Sequence, residues 1–155
     1  MGSIKRFEEI RAWQKARELV NSIYEITGSG KFAKDFGLRD QIRRATGSVM
    51  HNIAEGFDSG SDPEFRRFLR ISSRSVSEVQ SQLYTALDQG YVTKKQFEIL
   101  YEQAETAKAF IRKFVLYLSK QKSDGVHEEK ANYDIEADTG SQDDVGRRTW
   151  DEDEN

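Results

Sequence analysis

The sequence predicts an all-α fold, an up-down-up-down antiparallel four-helix bundle followed by an acidic C-terminal tail. Residues 1–122 contain a single proline, Pro63, and almost none of the apolar-polar alternation that strands produce. Apolar residues recur instead at steps of three and four along four segments of similar length, the spacing of helices that bury one side against their neighbours. The breaks between these segments are short, which predicts antiparallel packing of consecutive helices.

The first helix is predicted from about Phe7 to Thr27 and ends at the Gly-Ser-Gly sequence of 28–30. Its apolar side consists of Ile10, Trp13, Ala16, Val20 and Ile23.

The second helix is predicted from about Leu38 to Glu55. Its seam consists of Leu38, Ile42, Ala45, Val49 and Asn52, with Ile53 alongside. Asn52 places an amide where the heptad calls for an aliphatic side chain, so we expect it to be hydrogen-bonded across helices and to fix their register. A ligand-binding role for Asn52 is the alternative.

The third helix has two start signals. Ser61 and Glu64 have the spacing of a capping box, and Pro63 follows Asp62 at a first-turn position where its missing N–H is harmless. Gly90 is predicted to end the helix in the left-handed conformation. The seam consists of Phe65, Leu69, Ser72, Val76, Val79, Leu83 and Ala86.

The fourth helix is predicted to begin at Thr93, which has Gln96 three residues later as a second capping box. Its seam consists of Phe97, Leu100, Ala104, Ala107, Ile111, Phe114 and Leu118.

The net charge of -3 divides sharply along the chain. Residues 1–122 contain twenty-one Lys or Arg and fifteen Asp or Glu, a net charge of +6, whereas residues 123–155 contain twelve acidic and three basic residues, a net charge of -9. The acidic segment has few large apolar side chains to offset the entropy of ordering its backbone. We therefore predict a bundle domain over 1–122 and a disordered acidic tail over 123–155.

Several classes of protein are disfavoured by composition. The chain has no cysteine, which excludes disulfides and thiolate metal sites. Its longest apolar runs are only a few residues and its charged start lacks the apolar core of a secretory signal, so we expect a soluble cytoplasmic protein that does not span a membrane.

Arginines occur at helical spacing on two of the predicted helices. Those predicted to bind nucleic acid are Arg39, Arg43 and Arg44 on the second helix and Arg66, Arg67, Arg70 and Arg74 on the third. A guanidinium group stays charged and donates two parallel hydrogen bonds, which suits phosphate. Two alternatives remain open: salt bridges between subunits of an oligomer, and a solvated surface paired locally with Asp40, Glu64 and Glu78.

No catalytic site is predicted. His51 is the only histidine in residues 1–122, so the Glu-x-x-His ligand sets of a di-iron bundle cannot form. His51 and Glu55 are one turn apart, but a lone pair is more typical of a surface contact. Phosphate-binding glycine loops and nucleophile motifs are also absent from the sequence, which indicates a non-enzymatic protein without metal or cofactor.

Three short motifs carry a resemblance to a known family. Trp13, Lys15 and Ala16 form a W-x-K-A motif, residues 41–45 read Q-x-R-R-A, and residues 52–56 read N-I-A-E-G. The chain resembles, from about Phe7 to Leu118, the four-helix-bundle proteins encoded in intervening sequences of bacterial large-subunit ribosomal RNA genes. The motif residues Trp13, Asn52, Glu55 and Gly56 are then expected to be structural.

That family is similar in turn to accessory proteins of diversity-generating retroelements. The resemblance implies an up-down bundle that forms a homo-oligomer, with a pentamer expected, and that binds nucleic acid or a reverse transcriptase. It implies no catalytic site. The acidic tail departs from the family pattern.

The expected function is therefore binding of RNA or DNA, or of a reverse-transcriptase-type partner, through an arginine-rich surface of a homo-oligomeric bundle. The alternative is a structural scaffold for protein–protein interaction that makes no contact with nucleic acid. Two readings of the tail also stay open: an internal polyanion that competes with phosphate for the basic body, and a solubilising segment without that role.

Overall fold

Regular structure in the computed structural model is entirely helical over the residues that it describes, 3–120. The elements are a 3-10 turn at Phe7–Glu9 and the helices α1 (Arg11–Thr27), α2 (Gly30–Lys34), α3 (Phe36–Phe57), α4 (Asp62–Asp88) and α5 (Lys94–Lys120). The predicted tail of 123–155 lies outside the described residues, and its disorder stays a prediction.

The four long helices α1, α3, α4 and α5 form the predicted bundle. They pack side by side around the core, α1 on α3, α3 on α4, α4 on α5, and α5 back on α1. All seven predicted seam positions of α4 are buried, as are those of α5 from Leu100 to Leu118. No helix within residues 3–120 combines the length and hydropathy that a bilayer-spanning segment requires.

The first predicted helix is divided in the structure. Ile10 is extended, with φ -72° and ψ 120°, and separates the 3-10 turn from α1 while its own side chain is buried. Upstream of it, the Glu9 carboxylate accepts a hydrogen bond of 2.8 Å from the backbone N–H of Lys5. Along α1 the buried stripe passes through Leu19, and the predicted Val20 is only half-buried because it points toward the edge of the stripe.

One end of the bundle, which we call the closed end, is covered by α2. This short helix was not predicted, because five residues are too few to show a period. Its Phe32 is buried against Tyr91 of the α4–α5 turn, with ring centroids 5.5 Å apart. The Tyr91 hydroxyl donates to Asp35 Oδ2 at 3.0 Å, and this hydrogen bond raises the pKa of Tyr91. Asp35 Oδ1 accepts from Leu38 N and so caps α3.

The predicted caps of the last two helices form, although one is incomplete. Thr93 and Gln96 exchange both hydrogen bonds of a capping box, at 2.9 and 3.1 Å. Ser61 accepts from Glu64 N at 3.4 Å, but the Glu64 side chain turns to Arg67 instead of returning to Ser61. Gly90 has the predicted left-handed conformation, with φ 72°.

Small hydroxyl side chains bridge α3 and α4. Ser48 Oγ lies 3.0 Å from Ser75 Oγ, and buried Ser72 donates to the carbonyl of Val49 at 2.6 Å.

The prediction that Asn52 bonds across helices is wrong. Its amide donates to Ser48 O and Oγ at 2.8 and 2.9 Å, because Ser48 lies one turn earlier on the same face of the same helix. The bridge between the helices is made by Ser48.

The other motif residues differ in burial. Trp13 is buried beneath Phe7, with the rings edge to face at 5.2 Å, whereas Glu55 is exposed. Gly56 is buried where α3 meets α4: a β-carbon there would lie 2.6 Å from Phe65 Cδ2 and 2.8 Å from Phe68 Cβ. Glycine is thus the residue that permits the close approach of these helices.

We expect Gly56→Ala to lower the free energy of unfolding by about 1–3 kcal/mol, because the buried Phe65 ring and the Phe68 backbone must shift to admit a methyl group. The measurement is urea denaturation of the full chain. Gly47→Ala on the same helix is the matched control, since its β-carbon would lie an ordinary 3.5 Å from the His51 ring. The control should be neutral or stabilising by up to about 1 kcal/mol, and equal losses in both variants would contradict the account.

Candidate nucleic-acid interface

The seven predicted arginines separate into distinct environments. Arg39 and Arg43 lie at the closed end and hold its elements together. Arg39 donates to the carbonyl of Ala33 at 3.1 Å, and Arg43 Nε donates to Thr27 Oγ1 at 2.8 Å. Their guanidinium groups also cover aromatic rings, Phe36 at 4.8 Å and Tyr24 at 4.5 Å. These two arginines are already engaged within the fold.

Arg66 joins the beginning of α4 to the end of α5. One of its terminal nitrogens donates to the carbonyl of Leu118 at 3.2 Å. The last carbonyls of a helix have no intrahelical partner and lie at the negative end of its dipole, so a guanidinium group there is stabilising. Arg66 is consequently only partly available to a ligand.

Arg67 forms a local ion pair, as one of the open alternatives predicts. Its Nε and terminal nitrogen donate to the Glu64 carboxylate at 3.0–3.2 Å, and its guanidinium group lies 4.6 Å from the Phe68 ring centroid. The hydrogen bond and charge of Glu64 raise the pKa of Arg67. Arg39 has a similar partner in Asp40, at 3.0 Å.

Three of the seven, Arg44, Arg70 and Arg74, are exposed and make no ion pair within residues 3–120. Glu78, one turn beyond Arg74 and predicted as a local partner, instead accepts a hydrogen bond from Gln82 at 3.3 Å. Arg70 and Arg74 lie one turn apart on α4, whereas Arg44 is on α3, one turn nearer the closed end than Ser48.

Basic residues of α5 extend the arginine row of α4. Lys108 Nζ donates to Ser77 Oγ at 2.7 Å. Together with the Arg66–Leu118 contact, this bond aligns residues 66–77 of α4 antiparallel with 108–118 of α5. Arg112 follows Lys108 by one turn and is exposed. We define the basic patch as Arg66, Arg70, Arg74, Lys108 and Arg112.

Lys108 and Arg112 were not predicted, because neither belongs to a row of arginines at regular steps within one helix. The signal that finds them is a run of fifteen residues, 106–120, with four basic and no acidic side chains. Only the pairing of α5 with α4 makes this run part of the same surface.

Positive charge is concentrated at this end of the α4–α5 pair. Residues 62–77 and 106–120 together contain eight Lys or Arg and two Asp or Glu, a net charge of +6. The other residues up to 122 contain thirteen of each sign. The whole positive excess of residues 1–122 therefore resides in two half-helices that pack against each other.

A groove of about 310 Å³ lies between α1 and α5, away from the basic patch. Its lining residues are Lys15, Glu18, Ile99, Glu102, Gln103 and Thr106. Ile99 is 51% exposed at this groove, and Gln103 Oε1 is buried without a hydrogen-bond partner in the described chain. No group of three or more metal-ligating side chains occurs within residues 3–120.

Comparison with known proteins agrees with this architecture. The model of the family described as 23S rRNA-intervening sequence protein matches residues 8–113. A protein of unknown function from the S23 ribosomal protein family of Bacteroides thetaiotaomicron, whose crystal structure is solved, aligns with a TM-score of 0.63 at 21% identity, over 68% of this chain and 95% of that one. At this identity the likeness concerns the fold alone. The comparison with curated proteins gives no significant match.

We expect Arg66→Ala to loosen the last turn of α5, because the Leu118 carbonyl loses its cationic donor. A hydrogen bond of this kind stabilises by about 1 kcal/mol, so amide hydrogen exchange at 117–120 should accelerate about three- to tenfold. Arg70→Ala is the matched control, since it removes the same charge from the next turn but no contact with α5. Equal acceleration in both variants would contradict the anchoring role of Arg66.

Proposed function

The chain belongs to the family of 23S rRNA-intervening sequence proteins, and we propose that it is a cytoplasmic, non-enzymatic helical bundle whose basic patch binds the phosphate backbone of RNA or DNA. One observation carries the proposal: the net charge of +6 on residues 1–122 is matched by the +6 of 62–77 and 106–120 alone. A concentrated positive surface attracts a polyanion far more strongly than the same charge spread over the molecule.

Three of the four arginines of the patch are fully available to phosphate. Arg70, Arg74 and Arg112 are exposed and have no carboxylate partner among the described residues, so a phosphate would not have to displace an ion pair. Lys108 donates only to the neutral hydroxyl of Ser77. Each guanidinium group can make two charge-assisted hydrogen bonds to phosphate oxygens.

This mode of binding favours the backbone over the bases. The patch is formed by two packed helices, and backbone contacts set position and affinity without reading sequence. We therefore propose weakly sequence-dependent binding that releases counterions and weakens steeply with salt. The patch offers no feature that distinguishes ribose from deoxyribose, so RNA and DNA are both proposed ligands.

The remaining predicted arginines have smaller roles in this proposal. Arg39 and Arg43 serve the closed end, Arg67 is paired with Glu64, and Arg44 stands apart on α3. One phosphate strand following the patch would contact Arg66, Arg70 and Arg74, whereas Arg39 and Arg43 are held by their contacts with Ala33 and Thr27.

Self-association is the second candidate function, and the groove between α1 and α5 favours it. Ile99 is exposed there, and a second protein surface would cover it. The groove uses the first half of α5 and the patch uses the second half, so a homo-oligomer, including the expected pentamer, could form with its patches open. A scaffold with only protein partners, such as a reverse transcriptase, would use the same groove.

We expect Arg70→Ala/Arg74→Ala to lower nucleic-acid affinity and to reduce the slope of log K against log salt by about 2, since two phosphate contacts are lost. The measurement is a mobility-shift series from 50 to about 300 mM salt with an RNA stem-loop and a single-stranded DNA of equal length. Lys94→Ala/Lys95→Ala is the matched control, because it removes the same charge from exposed positions at the other end of α5.

Binding that is absent at low salt, or that the control weakens as much as the arginine variant, would contradict the proposed interface. A defined protein that co-purifies after nuclease treatment, without nucleic-acid binding, would favour the scaffold.

For self-association, we expect Ile99→Asp to lower the oligomeric state measured by light scattering, because a carboxylate would be desolvated in a covered groove. Leu116→Asp is the matched control on the same helix, at 55% exposure against 51%. A wild-type chain that is monomeric at micromolar concentration would remove this candidate.

A further inference from the structure

We propose that the acidic segment 123–155 docks on the basic patch of its own chain. This segment lies outside the described residues, but the point at which the chain leaves the bundle is defined by the end of α5 at Lys120. The position of that exit and the charges of the segment and the patch indicate which surface the segment occupies.

The chain leaves the bundle at the edge of the basic patch. Leu118, two residues before the end of α5, is the residue whose carbonyl Arg66 binds at 3.2 Å. Arg70 and Arg74 follow Arg66 by one and two turns of α4, about 6 and 12 Å along its axis. Thirty-three residues can span up to about 110 Å, so the length of the segment does not limit its access to the patch.

The charges of the two partners are complementary. The segment has a net charge of -9, and the two half-helices that form the patch end have a net charge of +6. Six of its twelve acidic residues occur in two runs, 143–144 and 151–154. The last fifteen residues of α5, 106–120, contain no acidic side chain, and one of the two acidic residues of 62–77, Glu64, is paired with Arg67.

Other surfaces of the bundle are poorer sites for this segment. Outside the patch end, residues 1–122 carry equal numbers of both signs. Arg39 and Arg43 already bind Ala33, Asp40 and Thr27. Lys94 and Lys95 lie one turn from Glu98, at the end of α5 farthest from the exit.

Docking would be weak at each contact and strong only in sum. Exposed ion pairs contribute about 0–1 kcal/mol each, while a tethered ligand has an effective concentration on the order of millimolar. Occupancy should therefore fall steeply with salt. A further consequence rests on the proposed nucleic-acid function: the docked segment competes with phosphate for the same arginines.

Docking itself can be tested without nucleic acid. The chain contains no cysteine, so Ser141→Cys provides a single attachment point for a nitroxide spin label within the full chain. In low salt we expect paramagnetic broadening of amide signals over 66–74 and 108–112, at least about twice that over 11–27 of α1. The broadening should disappear at about 0.5 M salt and in the Arg70→Ala/Arg74→Ala background, and should persist in the Lys94→Ala/Lys95→Ala background.

Broadening that is uniform, or strongest elsewhere on the bundle, would overturn the proposal. Spin-labelled chains are also mixed with unlabelled, nitrogen-15-enriched chains. Broadening of the enriched chains equal to that within one chain would assign the occupant to a second copy and overturn docking in the same chain.

The competition has a separate readout. A full chain with neutralised acidic runs should bind the RNA probe about fivefold more tightly at low salt, and unchanged affinity would overturn the competition. The substitutions are Asp143→Asn, Asp144→Asn, Asp151→Asn, Glu152→Gln, Asp153→Asn and Glu154→Gln. Localised broadening without probe binding in either chain would refute the nucleic-acid function while leaving the docking intact.

Discussion

The antiparallel register of α4 and α5 is the constraint on which the proposed binding surface depends. It is set in the core, where Phe65 packs edge to face on Phe114 at 5.2 Å, and repeated at the surface by the Lys108–Ser77 contact. A slip of one turn would displace each basic side chain by about 5.4 Å from its neighbour on the other helix. The packing of the apolar seams thus determines which basic side chains of α4 and α5 lie next to each other, although these side chains contribute little to the buried surface.

The close contact of α3 with α4 supports this arrangement from the other side. Buried Gly56 and the Ser48–Ser75 bridge bring the two helices together through small groups, which leaves α4 fixed between α3 and α5. Packing and the proposed binding therefore use different sides of α4. The buried side packs against α3 and α5, whereas Arg70 and Arg74 are exposed, so substitution of these two arginines should change binding without changing the fold.

Most of the fold could be predicted from the sequence, because heptad seams and helix caps are local patterns that persist in the folded structure. The helix α2 could not be predicted, because its five residues are too few to show a period and are stabilised by the burial of Phe32. The prediction that Asn52 bonds across helices was wrong, because the heptad spacing places its amide near the seam but does not show that Ser48 of the same helix supplies the acceptors. For the proposed surface, the sequence indicated the arginine row of α4, whereas the position of Lys108 beside this row depends on which face of α5 meets α4.

The overall charge of -3 is the sum of a net charge of +6 on residues 1–122 and of -9 on residues 123–155. The positive excess of the bundle lies at the end from which the acidic segment leaves α5. We propose that the α4–α5 face is the binding surface. The most direct test of this proposal is a chemical-shift map of the nitrogen-15-enriched full chain titrated with a short RNA at low salt. We expect changes concentrated at 66–77 and 108–118. Changes centred on 39–44, or none at saturating RNA, would contradict it.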